Sequence, residues 1–487
     1  MLIIINSFLL CTVLGVDNLD IIGTKKNIIV FFSLFSEKRK NMGEFTDNII
    51  QSIEKIDVAS YYGRVSGVQG LFVEVSGIQN SLAIGDRCNV INNRNERVSC
   101  EIVSFKDDKI LLMPYGSMDG IGINCLVEVV DAKPVIYPHP SWLGRIVNAF
   151  GEAIDGKGPL IKGSKPYFIK SSPPPAQFRD RVSGKVDLGI KAVNAFLTIC
   201  KGQRMGIFAG SGVGKSTLMS MMARHTDSDI SVIGLIGERG REAKEFVEDV
   251  LGAEGLKKSV LVLATSDESP LLRRQAAYVA MAISEYFRDE NKNVLCMMDS
   301  ITRFAMAQRE ISLSSGEPPA SKGYTPSVFA ELPRLLERAG PGSGNGTITG
   351  LFTVLVDGDD HNEPVADAVR SILDGHIVLD RSIAERNRYP AINILRSISR
   401  TMPDCDTKEE AELVSKARKY ISSYEDMAEL IRLGAYKKGS NREVDEAIFY
   451  YPMIEDFLSQ SKQDKFSLEQ CYEMLEAILA TPYIPEQ

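Results

Sequence analysis

The chain changes its hydrophobic period twice. Between about residues 60 and 131, short runs alternate apolar and polar positions and are broken by glycine: Gly63–Val68, Leu71–Val75, Val98–Val103, Ile110–Met113 and Cys125–Val130. A period of two at that spacing predicts a small all-β barrel. From Gly202 onward, continuous apolar runs take turns with helical segments. Met205–Phe208 precedes Leu218–Arg224, Ser231–Ile236 precedes Glu242–Val250, and Val260–Ala264 precedes Leu271–Arg288. Val294–Met298 precedes Ile301–Ile311, and Gly350–Val356 follows. Such runs predict strands covered on both faces, hence an α/β unit with a mainly parallel sheet. Beyond Lys408 the pattern is helical: Glu409–Tyr424, Asp426–Arg432, Asp445–Ser459 and Ser467–Leu479.

Proline marks the joints. Pro134, Pro138 and Pro140 form a linker, and Pro173-Pro174-Pro175 a second stiff connection. The expected division is 42–132 for an amphipathic helix plus the barrel, 133–385 for the α/β domain and 386–487 for the helical domain. Apolar residues at 45, 49, 50, 53 and 56 make Phe45–Ile56 a short amphipathic helix, either docking on a partner or membrane surface or covering the barrel. Leu2–Val16 resembles the apolar part of a signal peptide, but it has no positive flank and is too short to span a bilayer. Residues 1–41 are therefore expected to come from an over-extended start site, with a membrane-tethering leader as the second reading.

Composition narrows the class. At 487 residues the chain needs two or three domains, and 44% hydrophobic with 25% charged residues is ordinary for a globular protein. A net charge of −8 supplies no basic surplus for nucleic acid as the main partner. Eight scattered cysteines without a CxxC pair and four isolated histidines give neither a disulfide framework nor a zinc site, and imply a reducing cytoplasm.

The strongest chemical signal is Ala209-Gly210-Ser211-Gly212-Val213-Gly214-Lys215-Ser216-Thr217, set between a strand and a helix. Glycines there let consecutive N–H groups and a helix N-terminus face an anion. Lys215 is placed to reach the β- and γ-phosphates, and the Ser216 hydroxyl to ligate Mg²⁺. Ala209 stands where the strict motif has glycine. Asp299 ends an apolar run, so its carboxylate emerges at a strand's C-terminal edge, either to hold Mg²⁺ or to cap the next helix. Glu238 follows another strand and is placed to serve an attacking water, whereas Glu242 belongs to a first helical turn. Arg239 and Arg303 either stabilise phosphate charge or pair with neighbouring acids.

Taken together, further segments resemble the rotary-type ATPases, most closely the ATPases of flagellar type III protein export. They are Leu143-Gly-Arg145 with Ile154–Pro159, Gly206–Thr217, Gly237–Glu242, Met298–Ala305, Gly323–Gly340 and Pro390–Arg400. The resemblance runs from about residue 60 to the C-terminus. It implies a RecA-like P-loop ATPase core, preceded by a small β-barrel and followed by a helical C-terminal domain. It implies a homohexamer binding ATP and Mg²⁺ between subunits. Glu238 matches the catalytic carboxylate, Tyr389 the aromatic that packs on adenine, and Arg400 the arginine finger given to a neighbouring subunit. Asn393 departs from the family, where many relatives carry Asp, and alanine at the position of Ala209 is common in this branch. The implied partners are a stator-like regulator, a coiled-coil central stalk, export substrates, their chaperones and a membrane export gate. The implied location is the cytoplasm, peripheral to the inner membrane at the flagellar base. Four alternatives stand beside this reading: an injectisome ATPase, the catalytic subunit of a proton-translocating ATP synthase, a non-catalytic nucleotide-binding subunit, and an RNA translocase.

Overall fold

The computed structural model describes residues 62–484 apart from 79–81, 131–133, 357, 359, 361 and 362. The expected extension at 1–41 and the amphipathic segment Phe45–Ile56 lie outside the described residues. Six strands, β1 (Tyr62–Gln69), β2 (Phe72–Ser76), β3 (Arg87–Ile91), β4 (Arg97–Lys106), β5 (Lys109–Pro114) and β6 (Leu126–Val130), close a barrel in the order β1-β2-β5-β4-β3-β6. Five follow the alternating runs. β3 had no such run: only Cys88 and Val90 of its five residues point inward, among Arg87, Asn89 and Ile91.

The central sheet carries β7 (Ile146–Val147), β8 (Arg204–Ala209), β9 (Ile230–Glu238), β10 (Ser259–Thr265), β11 (Asn293–Asp299), β12 (Thr347–Leu355), β13 (Gly375–Leu379) and β14 (Ile398–Ser399). Their order is β14-β13-β8-β12-β11-β9-β10-β7, with Gly340–Pro341 added antiparallel to β12. Every pairing from β7 to β13 is parallel, and β14 is antiparallel to β13. The sheet thus runs on to Ser399, past residue 385.

Alternation along β8 sends Met205 and Ile207 to one core and Phe208 to the other. The first core is shared with the C-terminal helices, through Val414, Ile454 and Leu475. The second lies under α3 (Pro270–Asp289), α4 (Ile301–Ser314), α5 (Pro326–Leu336) and α6 (Pro364–Ile372), which follow α1 (Lys215–His225) and α2 (Gly240–Glu245). Helix starts are written locally. Ser269 accepts from Leu272 N with Pro270 opening α3, and Ser300 accepts from Arg303 N ahead of α4. Thr407 with Glu410 and Ser467 with Gln470 form capping boxes on α7 (Lys408–Arg432) and α9 (Leu468–Ala480), either side of α8 (Arg442–Leu458). α7 is one helix where the pattern predicted two, because Glu425 between the two runs is no breaker.

Barrel and sheet domain meet over buried polar groups. Glu101 of β4 accepts from Tyr115 Oη (2.7 Å) and Arg274 Nη2 of α3 (2.6 Å), with Lys170 Nζ at 3.3 Å. Burial alone would raise this carboxyl; Arg274, Lys170 and the tyrosine hydrogen bond overcome it and lower it to about 2.

Candidate functional site

The segment between β8 and α1 wraps at the C-terminal edge of the sheet, where parallel α/β folds gather their ligands. Ala209 is the last residue of β8, fully buried and paired with Leu355, and its φ is not positive. The loop therefore needs no glycine at its first position. It does need one at Gly214, whose φ of 98° precedes the first turn of α1. A Cβ there would also lie 3.6 Å from the Tyr389 ring, so Tyr389 sits over the loop.

A cleft of about 330 Å³ opens beside the loop, lined by Gly210, Ser211, Gly212, Gly214, Lys215, Ser216 and Thr217 together with Glu238, Arg239 and Arg303. Val213 is buried beneath it. Lys215 Nζ bonds Asp299 Oδ1 and lies 3.6 Å from Glu238 Oε1. Asp299, at the end of β11, also accepts from Thr353 Oγ1 at 2.7 Å. The capping oxygen ahead of α4 belongs to Ser300, so Asp299 faces the loop lysine and not the helix start.

Glu238 owes its position to Gly237, whose φ of 69° breaks the β9 register and whose missing Cβ makes room for Arg303 Cβ, 3.0 Å away. Burial, then the neighbouring Asp299, push the Glu238 carboxyl up to about 7 against the pull of Lys215. The two open arginine readings separate. Arg239 is exposed and pairs with Glu242 at 3.4 Å. Arg303 Nε is buried without a hydrogen-bond partner, and its Nη1 reaches only Met306 Sδ at 4.0 Å. Arg400 is not on this cleft. It follows edge strand β14, exposed, its N–H bonded to Asp374 O.

Sequence reasoning did not single out Thr353, Ser266, Leu355 or Arg381. Thr353 had a signal, a polar residue inside the apolar run Gly350–Val356. Arg381, whose Nη2 donates to Ser211 O at 3.1 Å, had none, since only the fold brings it there. Ser216 and Asp299 offer hard oxygen donors of the kind Mg²⁺ takes along with phosphate oxygens, so the donor set fits that ion. Among the described residues no cluster of three or more His, Cys, Asp or Glu side chains makes a separate metal site.

A phosphate loop at the carboxyl edge of a parallel sheet, with a lysine between two strand-end carboxylates, defines a P-loop nucleotide-binding protein. The nucleotide-binding domain of the ATP synthase alpha/beta family matches residues 189–399, and the T3SS EscN ATPase C-terminal domain matches 407–477. The flagellum-specific ATP synthase of Caulobacter vibrioides is 55% identical over 442 residues, 90% of this chain and 100% of that protein. That of Bacillus subtilis is 50% identical, over 87% of this chain and 97% of its own. The type 3 secretion system ATPase of Xanthomonas euvesicatoria is 43% identical, over 88% and 96%. The assembled ATPase EscN of enteropathogenic E. coli superposes with a TM-score of 0.80 at 38% identity, covering 86% of this chain and 100% of that one. EscN in complex with its central stalk EscO gives 0.78 over the same coverage. The chain belongs to the flagellum-specific ATP synthase family and is an ATP-binding ATPase.

Proposed function

We propose that this chain hydrolyses ATP in a homohexamer that energises export of flagellar proteins, each site completed by a neighbouring copy. The observation that carries the shared site is the split among the site residues: the loop, Lys215, Glu238 and Asp299 converge, while Arg400 stands exposed at the edge strand. In this reading the loop amides of Gly210–Thr217 and Lys215 hold the phosphates. Tyr389 packs on adenine. Glu238 orients the attacking water and takes its proton, and Arg303, with its unpartnered Nε, adds positive charge where the transferred phosphoryl group develops negative charge. Arg239, on the rim and paired with Glu242, plays the lesser part in the same task. Arg400 reaches the site of the next copy. Ser216 and Asp299 would hold Mg²⁺, which supplies charge neutralisation across the phosphate oxygens.

The likeness to an assembled ATPase and to its stalk complex supports an oligomer around a stalk protein. The same family reading brings in the stator-like regulator, substrates, chaperones and the membrane export gate. No helix among the described residues is long and apolar enough to cross a membrane. In this reading the chain works in the cytoplasm, peripheral to the inner membrane at the flagellar base. Relatives named flagellum-specific ATP synthase lie at 45–55% identity against 43% for the type 3 secretion system ATPase, which favours flagellar export. Lys215→Ala in the native host tests this reading: filament export and motility should be lost with protein levels intact, and normal flagella would overturn it.

A further inference from the structure

Tyr389 lies on the segment between β13 and β14. The residue is 38% exposed, with its ring over Gly214 of the phosphate loop. Its backbone, in contrast, is gripped from the C-terminal domain. The Tyr389 carbonyl accepts from Gln460 N at 2.8 Å. Gln460 is buried just after α8, and its side chain accepts from Lys191 N (2.9 Å) and donates to Gly189 O and Asp464 O (2.8 Å each). This glutamine therefore ties the tyrosine segment to the strap that enters the nucleotide-binding domain.

The neighbouring Arg388 is buried and donates to Pro390 O (3.2 Å) and Ile392 O (2.9 Å), fixing the turn that carries the tyrosine. Its Nε lies 3.1 Å from Glu455 Oε2 on α8. Burial raises the Glu455 carboxyl and lowers the Arg388 guanidinium, so each charge depends on the other being present. A second tie runs from Arg386 to Glu425 of α7 at 3.9 Å, and Tyr451 of α8 donates to the same carboxylate at 2.8 Å.

We infer that Glu455, Arg388 and Gln460 are positioning residues through which the C-terminal helices set the height of Tyr389 over the phosphate loop, and with it the affinity for the nucleotide base. The inference rests on the reading of Tyr389 as the adenine-packing residue. None of the three lines the cleft, and they act through the tyrosine backbone. The chemistry predicts a base-specific effect, because phosphate binding depends on the loop and Lys215, which these contacts do not reach.

The test uses the full-length assembled enzyme and five variants: Tyr389→Ala, Glu455→Ala, Glu455→Gln, Gln460→Ala and the double variant Tyr389→Ala with Glu455→Ala. KM for ATP, kcat, and inhibition by ADP and by inorganic pyrophosphate are measured for each. Loss of a stacked base costs on the order of tenfold in affinity, so Glu455→Ala should raise KM for ATP and Ki for ADP roughly fivefold to tenfold. Pyrophosphate inhibition should stay put, and kcat should move by less than about twofold. Glu455→Gln, which keeps shape and a hydrogen-bond acceptor, should recover part of the affinity, and Tyr389→Ala combined with Glu455→Ala should be no worse than Tyr389→Ala alone. Unchanged KM in Tyr389→Ala would overturn the adenine reading itself. A normal KM in both Glu455→Ala and Gln460→Ala beside a raised KM in Tyr389→Ala, or a parallel loss of pyrophosphate binding, would overturn the positioning role alone.

Discussion

Glu238, its carboxyl pushed up to about 7, shares one cleft with the loop lysine and with Arg303, whose Nε is buried without a hydrogen-bond partner. Removing its charge without changing its size should separate chemistry from binding. Glu238→Gln is expected to lower kcat by about 10²–10⁴-fold, the range for a positioned acid–base group, with nucleotide affinity retained in a fluorescence titration. Glu101 makes a second residue-scale prediction, on stability. Its folded carboxyl titrates at about 2 against an ordinary 4.5, so its contribution is complete above pH 4.5 and is lost as pH falls toward 2. Thermal unfolding across that window should be steeper in the wild type than in Glu101→Gln, whose amide does not titrate. At this scale the sequence was a good guide to Lys215, Glu238 and Asp299, because strand ends and a glycine loop are local features. It said nothing of Arg381, which needs the fold to bring it within 3.1 Å of Ser211.

Elements carry the next tier. α5 is pinned to α3 where Arg338, just past the α5 C-terminus and wholly buried, donates from Nε and Nη2 to both oxygens of Glu285 (2.8 and 2.7 Å) and from Nη1 to Ile169 O at 2.7 Å. Breaking such a pair from one side strands a buried charge, at a cost of about 3–5 kcal/mol. Arg338→Met and Glu285→Leu should each destabilise by that order in denaturant titrations, and the double variant by clearly less than their sum. The strands and helices that periodicity named in the sheet domain are present, since their apolar runs are long and both faces are covered, but α5 and α6 were not among them. β3 and β13 escaped it for different reasons. β3 buries two residues between polar neighbours, and the run Ile377–Leu379 of β13 is too short to stand out from a buried loop. The split expected near Glu425 failed because a change of face is not a helix break when no proline or glycine enforces it.

The whole molecule joins three parts through shared cores and buried polar contacts, with C-terminal helices packed on the same side of the sheet that Met205 and Ile207 enter. One strip of the edge remains exposed: Tyr389, Leu395, Ile398 and the adjoining Arg400. Apolar residues beside an exposed arginine at a sheet edge suit a contact with another copy, the arrangement in which Arg400 would complete a neighbour's cleft. A sequence can display the two halves of such a site, but it cannot say that they belong to different copies. Arg400 lies outside the cleft lining of its own chain and is exposed, and that is what supports a shared site. Complementation between damaged copies tests it most directly. Lys215→Ala and Arg400→Ala are each expected to be nearly inactive when assembled alone. Mixed before assembly, they create interfaces that pair an intact Lys215 cleft with an intact Arg400, so ATP hydrolysis should rise well above the sum of the two separate preparations. A mixture no more active than that sum, or a full specific rate from dilute monomer, would contradict the shared site.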